Sequence, residues 1–413
     1  MKSRRLSPTV TELSGGLRLV HVHDRSTAAA IFGISVRAGS ADESADAFGL
    51  AHFVEHTIFK GTLKRSSWHI INRMEAVGGE LNAYTTKEMT VVYTIFPAGA
   101  TSRAVELVAD LAVNSQFPTR ELDKEREVVV DEINSYLDSP SEAVYDDFED
   151  LFYEGGLGHN ILGTPESVGR LDSEACRGFL ARHYRAGNMV AFYSGPVGAE
   201  RVGRAVERYF AGLPQGRAEA GTQPSRVRGR FEHERCLPIH QSHVVLGAEV
   251  AGMESAGRYA AAMFANITGG PGMNSLLNVE LRERRGLVYS VEASTTFFSG
   301  TGLLNVYYGC DAEDRERCLR LCRKVFGELA DGIDARRLER ARKQYLGQLA
   351  LAGENRENRI LGAARSTLFL GAPPSDAEVE EAIRAVSAAD ISAVAASMLD
   401  ASVLSFIPES SHT

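Results

Sequence analysis

Two histidines and a glutamate share the short segment His52-Phe53-Val54-Glu55-His56. On a helix, the four-residue spacing places both imidazoles on one face, one turn apart. Two imidazole nitrogens suit a zinc ion. A carboxylate from elsewhere can supply the third protein ligand and leave a fourth position open, as hydrolytic zinc sites require. Glu55 lies beside the second histidine and can act as a general base without being a ligand. The order His-x-x-Glu-His is the inverse of the common metalloprotease string.

A string with only three fixed residues also arises by chance, and two histidines near a helix end can be ordinary core or capping residues. The flanking segments Gly49-Leu50-Ala51 and Ile58-Phe59 predict a short, largely apolar helix that ends at Gly61. Two unpaired imidazoles are unusual on such a helix, and this favours a metal site.

A second helix, predicted from about Thr119 to Tyr136, carries candidates for the distal carboxylate. Thr119 is a plausible N-cap, and acidic residues enrich the first turns. Glu125 and Glu132 are two turns apart and share a face, and the valines at 128–130 between them predict that this part of the helix is buried. A buried glutamate is destabilising unless it is paired or bound to a metal, so a solvated acidic face suits the other acidic residues better than Glu132.

Together with the run Gly78-Gly79-Glu80-Leu81-Asn82-Ala83-Tyr84-Thr85, these residues resemble the pitrilysin/insulinase family of zinc peptidases. Within it, the resemblance is to the short-chain branch that includes the mitochondrial processing peptidase subunits and their bacterial relatives, and it covers nearly the whole chain. It implies that His52, His56 and Glu132 bind Zn²⁺ and that Glu55 is the base. It also implies that Glu125 orients a ligand histidine.

In that family, the strand that corresponds to Asn82, Ala83 and Tyr84 is a sheet edge that pairs with the substrate backbone. An ordinary strand after a Gly-Gly turn fits the same alternating pattern. The resemblance therefore implies, and the pattern alone does not establish, a substrate-binding edge.

Length and composition limit the class of protein. A chain of 413 residues should contain two or more domains, and its 44% hydrophobic and 24% charged residues are typical of a globular protein. A net charge of −9 argues against nucleic acid as a partner, and no apolar run is long enough for a membrane span. No apolar stretch follows the basic N-terminus, and the five cysteines contain no CxxC. We therefore expect no signal peptide, reduced thiols and a cytoplasmic location.

The two halves of the chain repeat one order of elements. We expect a zinc-binding half at 1–215, a polar linker at 216–229 and a homologous half at 230–413 that lacks the metal site. At an offset of 216 residues the two long helices align without gaps, and Glu125 falls on Ala341 and Glu132 on Gln348. The predicted fold class is α+β, with a largely antiparallel sheet covered by helices in each half. The resemblance implies that such halves pair into a clamshell.

The second half has a motif of its own, from Arg282 through Gly286 to Tyr289, after a glycine-rich loop at 269–272. The loop lacks the Lys-Ser/Thr pair of a P-loop, so nucleotide binding is not favoured. From the residues alone, the segment reads as a turn and an amphipathic helix that ends at Gly286. The resemblance implies that Arg282 and Tyr289 hold the substrate backbone and stabilise the oxyanion. Because this chain has two halves where long family members have four, it further implies a homodimer in which Arg282 and Tyr289 serve the partner chain's zinc.

Glu142 and Asp146 are spaced to share a helix face. A solvated surface pair explains them equally well. The catalytic processing-peptidase subunit has acidic residues at matching positions that bind an arginine upstream of the cut, which implies a preference for basic residues near the scissile bond.

We therefore expect a zinc metalloendopeptidase that hydrolyses peptides or unfolded polypeptide segments inside a closed chamber. Two alternatives remain open: a noncatalytic relative, like the respiratory-complex core subunits of this superfamily, and a chaperone-like peptide-binding module with a structural zinc. Structural zinc sites normally use four protein ligands. Three candidate ligands beside a free glutamate favour catalysis.

Overall fold

The structure, a computed structural model, describes residues 6–218 and 225–409, so positions 219–224 of the predicted linker lie outside the described residues. The strands within these ranges are β1 (Thr9–Glu12), β2 (Arg18–His23), β3 (Ala29–Val36), β4 (Glu80–Thr85), β5 (Thr90–Pro97), β6 (Tyr153–Glu154), β7 (Met189–Gly195), β8 (Arg226–Val227), β9 (Glu232–Leu237), β10 (Ser242–Val250), β11 (Val288–Phe297), β12 (Gly302–Cys310) and β13 (Ser402–Pro408). The helices are α1 (Leu50–Thr57), α2 (Ser67–Glu75), α3 (Thr101–Asn114), α4 (Thr119–Leu137), α5 (Pro140–Phe152), α6 (Pro165–Arg170), α7 (Ser173–His183), α8 (Ala199–Tyr209), α9 (Arg258–Gly269), α10 (Arg315–Ala330), α11 (Ala335–Ala352), α12 (Arg356–Leu370), α13 (Asp376–Ala385) and α14 (Ala388–Leu399).

These elements form two compact units. The first contains the chain up to Ser135 together with Gly155–Ser225 and Gly353–Pro374. The second contains Tyr136–Glu154, Arg226–Ala352 and the chain from Ser375 onwards. The predicted fold class is confirmed, because each unit is a mixed α+β layer with a sheet covered by helices.

The first unit is built on a sheet with the strand order β1-β2-β7-β3-β5-β4, in which only the β2–β7 pairing is parallel. Alternate residues of β3 and β5 point to opposite faces, as the period of a strand requires. Phe32 and Val92 join α1, α3, α7 and α8 in one core, whereas Ile31 and Val91 face α12 in another. Both faces of this sheet are therefore buried.

The second unit repeats this plan with the strand order β11-β12-β10-β13-β9, in which only β13–β9 is parallel. Helices α9, α10 and α14 cover one face, and α5 packs on β10 and β13. Phe148 of α5 lies so close to β10 that a Cβ at Gly247 would collide with its ring. Glycine at this position is what lets the helix approach the strand.

One helix of each half belongs to the unit of the other half. Helix α5 follows the long helix α4 in sequence but packs in the second unit, and α12 follows the long helix α11 but packs in the first. The first residues of the two long helices, Thr119 and Ala335, are 216 residues apart, and so are those of the exchanged helices, Pro140 and Arg356. The exchange is thus reciprocal. The predicted boundaries 1–215 and 230–413 therefore place α5 and α12 each in the half whose sheet it does not pack against.

Each exchanged helix is joined to its sheet by a tyrosine–glutamate hydrogen bond. The Tyr93 hydroxyl of β5 donates to the Glu357 carboxylate of α12 at 2.6 Å. In the second unit the roles are reversed, because the Tyr145 hydroxyl of α5 donates to the Glu292 carboxylate of β11, also at 2.6 Å. Bonds of this kind, to a charged acceptor, are stronger than neutral ones.

Two local expectations need correction. The helix that carries the paired histidines ends at Thr57 and not at Gly61. The segment after the glycine-rich loop is not a regular α-helix, because it is π-helical over Asn278–Glu283. Gly286 follows with a left-handed φ of 62°, and Tyr289 lies beyond it on strand β11. Among the described residues no single helix has the length and apolar composition of a membrane span; the bent pair α13–α14 meets both criteria only when its two helices are counted together.

Candidate metal centre

The paired histidines lie on α1, whose start is fixed by a buried carboxylate. Gly49 precedes the helix with a left-handed φ of 91°, and a Cβ there would lie 2.6 Å from a backbone oxygen, so only glycine fits. Glu43, itself buried, accepts hydrogen bonds from the backbone N–H groups of Gly49 at 2.8 Å and Ala51 at 2.6 Å. His159 contacts the same carboxylate at 3.1 Å. A negative charge at a helix N-terminus is favourable, and here it anchors the helix that carries the site.

The three predicted ligands come together in the first unit. Nε2 of His52 lies 3.8 Å from Oε2 of Glu132, and Nε2 of His56 lies 3.4 Å from the same oxygen. One ligand atom from each residue lies within 4.8 Å of the other two, and the described residues contain no second group of this kind. Ligands about 2.0–2.1 Å from a tetrahedral zinc are separated by about 3.4 Å. The cluster therefore fits a zinc ion.

The protonation state of His52 also fits a metal ligand. Burial, followed by the neighbouring His56, lowers the pKa of His52 to about 3. At neutral pH the His52 imidazole is therefore uncharged and has a lone pair to donate. A metal ligand must be deprotonated in this way before it binds.

Glu125 is only 9% exposed and contacts His56 at Nδ1, the ring nitrogen that does not face Glu132. Its Oε1 lies 3.0 Å from Nδ1 of His56, and its Oε2 is paired with Nζ of Lys60 at 2.6 Å. A hydrogen bond at Nδ1 fixes the tautomer in which Nε2 of His56 is free to bind the metal. This is the position that the family resemblance implies for Glu125.

Glu55 follows the first histidine by three residues and is half-buried. The hydroxyl of Thr85, the last residue of β4, donates to Oε2 of Glu55 at 2.8 Å. Burial raises the pKa of the Glu55 carboxyl, and the hydrogen bond from Thr85 and the neighbouring His56 oppose that rise. A carboxylate with a raised pKa beside a metal site suits a general base.

The predicted substrate strand lies at the edge of the sheet, since β4 pairs with β5 on one side only. Leu81 and Ala83 point to the same side as Glu55 and His56 and line a cleft of about 390 Å³ with them. Tyr84 points to the other face of the sheet and packs against the α12 core, and Asn82, by alternation, shares that side. The backbone along the free edge of β4 is therefore available for pairing with an extended chain.

The remaining predicted residues lie in the second unit. Arg282 is exposed and lines a polar pocket of about 340 Å³ with the glycine-rich loop. Tyr289 is 57% exposed, and its hydroxyl donates to Asp311 at 2.9 Å. Glu142 is exposed and Asp146 half-buried on α5. The structure thus gathers the metal, base and edge-strand residues in the first unit and places these four in the second.

The two positions of the second unit that align with Glu125 and Glu132 carry side chains that do not titrate. Gln348, aligned with Glu132, accepts a hydrogen bond from the side-chain amide of Asn266 on α9. Ala341, aligned with Glu125, is a partly buried hydrophobic residue that packs against the core. Amides and alanine are poor zinc ligands, so this unit lacks the site of the first.

Three contributors to the site were not identified from the sequence: the Thr85 hydroxyl, the Lys60 ammonium and the buried Glu43 carboxylate. Thr85 and Lys60 both lie in segments that carry the family resemblance, which was the one available signal. Glu43 lies outside them, and its role depends on contacts with backbone N–H groups that no side-chain pattern reports.

A two-half α+β fold with a His-x-x-Glu-His helix and a distal glutamate is the combination typical of inverted-motif metallopeptidases. The family described as "Insulinase (Peptidase family M16)" matches residues 18–165, and "Peptidase M16 inactive domain" matches residues 170–345. The chain belongs to this family.

Similar proteins extend over almost the whole chain. An uncharacterized zinc protease of Streptomyces coelicolor is 33% identical over 94% of this chain and 86% of its own length, and one of Mycobacterium tuberculosis is 34% identical over 95% and 91%. Among solved structures, a peptidase M16 inactive domain from Pseudomonas fluorescens has a TM-score of 0.88 at 21% identity, covering 99% of this chain and 100% of its own. That likeness concerns the fold. The cluster of His52, His56 and Glu132 fits Zn²⁺, the cofactor of the zinc proteases that this chain resembles.

Proposed function

We propose that this protein is a zinc-dependent endopeptidase that hydrolyses peptides or unfolded polypeptide segments. The observation that carries the proposal is the grouping of His52, His56 and Glu132 within 4.8 Å of one another, with Glu55 beside them and outside the ligand set. Three ligands and one free carboxylate are the composition of a hydrolytic zinc site, whereas structural sites are closed by a fourth ligand.

When bound, Zn²⁺ polarises the scissile carbonyl and makes water acidic enough to react near neutral pH. His52, His56 and Glu132 would hold the ion, and Glu125 and Lys60 fix the ring of His56. Glu55 takes the proton from the attacking water and passes it to the leaving amine, so the carboxylate is regenerated in each cycle. The substrate backbone pairs with the free edge of β4, beside Asn82 and Ala83.

The proposal extends to features that rest on the family resemblance. Two copies of the chain form a homodimer around a closed chamber, in which Arg282 and Tyr289 of each chain act on substrate at the other chain's zinc. Glu142 and Asp146 favour basic residues near the cut, and the enzyme acts in the cytoplasm. A noncatalytic or chaperone-like peptide-binding subunit is the alternative. The complete set of ligand candidates beside a free Glu55 supports catalysis.

The test is cleavage of unstructured peptides of about 10–30 residues, a range chosen to suit an enclosed site. Wild type, Glu55→Gln and chelator-treated wild type are compared, with products identified by mass spectrometry. We expect cleavage by untreated wild type alone. No cleavage by wild type with zinc bound would favour the binding-subunit alternative, and equal cleavage by Glu55→Gln would exclude Glu55 as the base.

A further inference from the structure

The side chain of Glu55 has one hydrogen-bonding partner in the described part of the chain, and that partner belongs to the edge strand. The hydroxyl of Thr85 donates to Oε2 of Glu55 at 2.8 Å. An ionised carboxylate only accepts hydrogen bonds, so the single proton of the threonine hydroxyl fixes the direction of this contact. It restrains one carboxylate oxygen, while Glu55 lines the cleft beside His56.

Thr85 is itself held firmly. It pairs with Thr90 at the last position of the β4–β5 ladder. The next residue, Thr86, closes the connection with a backbone hydrogen bond to the Met89 carbonyl at 2.7 Å, and its hydroxyl accepts from the Met89 N–H at 3.1 Å. A threonine also has few χ1 choices. The hydroxyl therefore has a fixed origin from which to orient Glu55.

The same strand presents its unpaired edge to the outside of the sheet. Leu81, Ala83 and Thr85 point to the side of the cleft, because alternate residues of a strand share a face. A peptide that pairs with this edge would add hydrogen bonds to the strand whose last residue contacts the base.

We propose that Thr85 is a positioning residue that sets the orientation of the Glu55 carboxylate and couples substrate pairing on β4 to the base. The inference rests on the proposed peptidase function. Thr85 is not among the three candidate metal ligands, and its hydroxyl acts through Glu55.

The decisive variant is Thr85→Val, which keeps the β-branched shape and removes the hydroxyl. We expect kcat to fall about 10- to 100-fold, as for the loss of a hydrogen bond to an ionised group. KM should stay within about twofold, because the substrate backbone pairs with β4 and not with the hydroxyl. Zinc affinity, measured by competition with a chromophoric chelator, should be unchanged. Thr85→Ser, which restores the donor, should recover most of kcat.

Thr94→Val is the matched control. Thr94 lies on the neighbouring strand, opposite Leu81, and is buried. Its hydroxyl has no hydrogen-bond partner among the described residues. The same substitution there should leave kcat, KM and zinc affinity at their wild-type values. A comparable loss of kcat in Thr94→Val would show that any valine in this pair of strands disturbs the site, and would overturn the inference.

Two results would refute the role of Thr85: a Thr85→Ser variant as slow as Thr85→Val, or a Thr85→Val variant with wild-type kcat. These results differ from failure of the proposed function, in which wild type itself does not cleave or Glu55→Gln cleaves equally well.

Discussion

Replacing Glu125 by glutamine tests whether this carboxylate controls the metal site without touching the metal. Glu125 lies on α4 behind the His56 ring and bridges Nδ1 of His56 to the ammonium of Lys60. The glutamine amide keeps the size and one acceptor of the carboxylate but removes its charge. Nδ1 of His56 then loses its anionic partner, and Lys60 becomes an uncompensated cation beside the site of a dication.

The expected magnitude follows from these two losses. Removing the outer partner of a ligand histidine weakens metal binding about 10- to 100-fold, or about 1.4–2.8 kcal/mol. The unpaired Lys60 adds repulsion, so we expect the upper part of that range. Lys60→Met in the Glu125→Gln background should then recover about tenfold in affinity, because it removes the unpaired charge.

Zinc affinity is measured by competition with a chromophoric chelator at fixed pH and salt. The matched control is Glu127→Gln, which makes the same change in charge on the same helix at an exposed position. The control should bind zinc as wild type does. If Glu125→Gln also binds within twofold of wild type, or if Lys60→Met weakens binding further in the Glu125→Gln background, then Glu125 does not tune the site through His56 and Lys60.

Three further outcomes are expected. Glu43→Ala leaves two buried N–H groups at the start of α1 without acceptors and should reduce the free energy of unfolding by about 3 kcal/mol in urea titrations; an unchanged midpoint would contradict the anchoring role. Burial, followed by the charge of Arg182, lowers the pKa of His183 to about 4. Between about pH 4 and pH 6.5, the unfolded chain therefore binds a proton at this histidine and the native state does not. Stability should thus fall by about 2 kcal/mol between pH 7 and pH 5, and His183→Gln should remove that part of the fall; parallel curves for both proteins would disprove it. Tyr93→Phe removes the hydrogen bond to Glu357 and should lower the free energy of unfolding by about 2 kcal/mol. Tyr145→Phe should lower it by less, because the hydrogen bond from Tyr145 to Glu292 is more exposed. Equal losses in the two variants, or no loss in either, would argue against the role of Tyr93 in fixing α12.

Local patterns predicted much of the secondary structure. The long helix expected from Thr119 to Tyr136 spans Thr119–Leu137, and the short apolar helix expected around His52 and His56 appears as Leu50–Thr57. These elements have clear apolar periodicity between glycine and proline breaks. The two histidines were likewise identifiable, because their spacing on one helix places them on one face. The choice of Glu132 over Glu125 as the third ligand came from the family resemblance.

What the sequence did not reveal depends on contacts between distant segments. No local signal shows that α5 and α12 each pack in the unit of the other half, since the periodicity of a helix shows which face is buried but not which sheet covers it. From the residues, an amphipathic helix was expected to end at Gly286. In the structure the left-handed φ of Gly286 leads into β11, the strand that carries Tyr289 and is at least partly exposed along most of its length. The pairing of Lys60 with Glu125 joins the turn after α1 to helix α4, and a single sequence contains no record of such a contact.

The reciprocal exchange of α5 and α12 has a consequence for how a protein of this kind could arise. A chain with only one half would send its exchanged helix away from its own sheet and leave that sheet face bare. A second copy could cover the face by supplying its own helix, which is the arrangement of a domain-swapped, intertwined dimer. Duplication and fusion of the gene would then preserve the intertwining inside one chain. For the same reason, the contiguous halves expressed separately should each remain incomplete and should regain structure only when mixed.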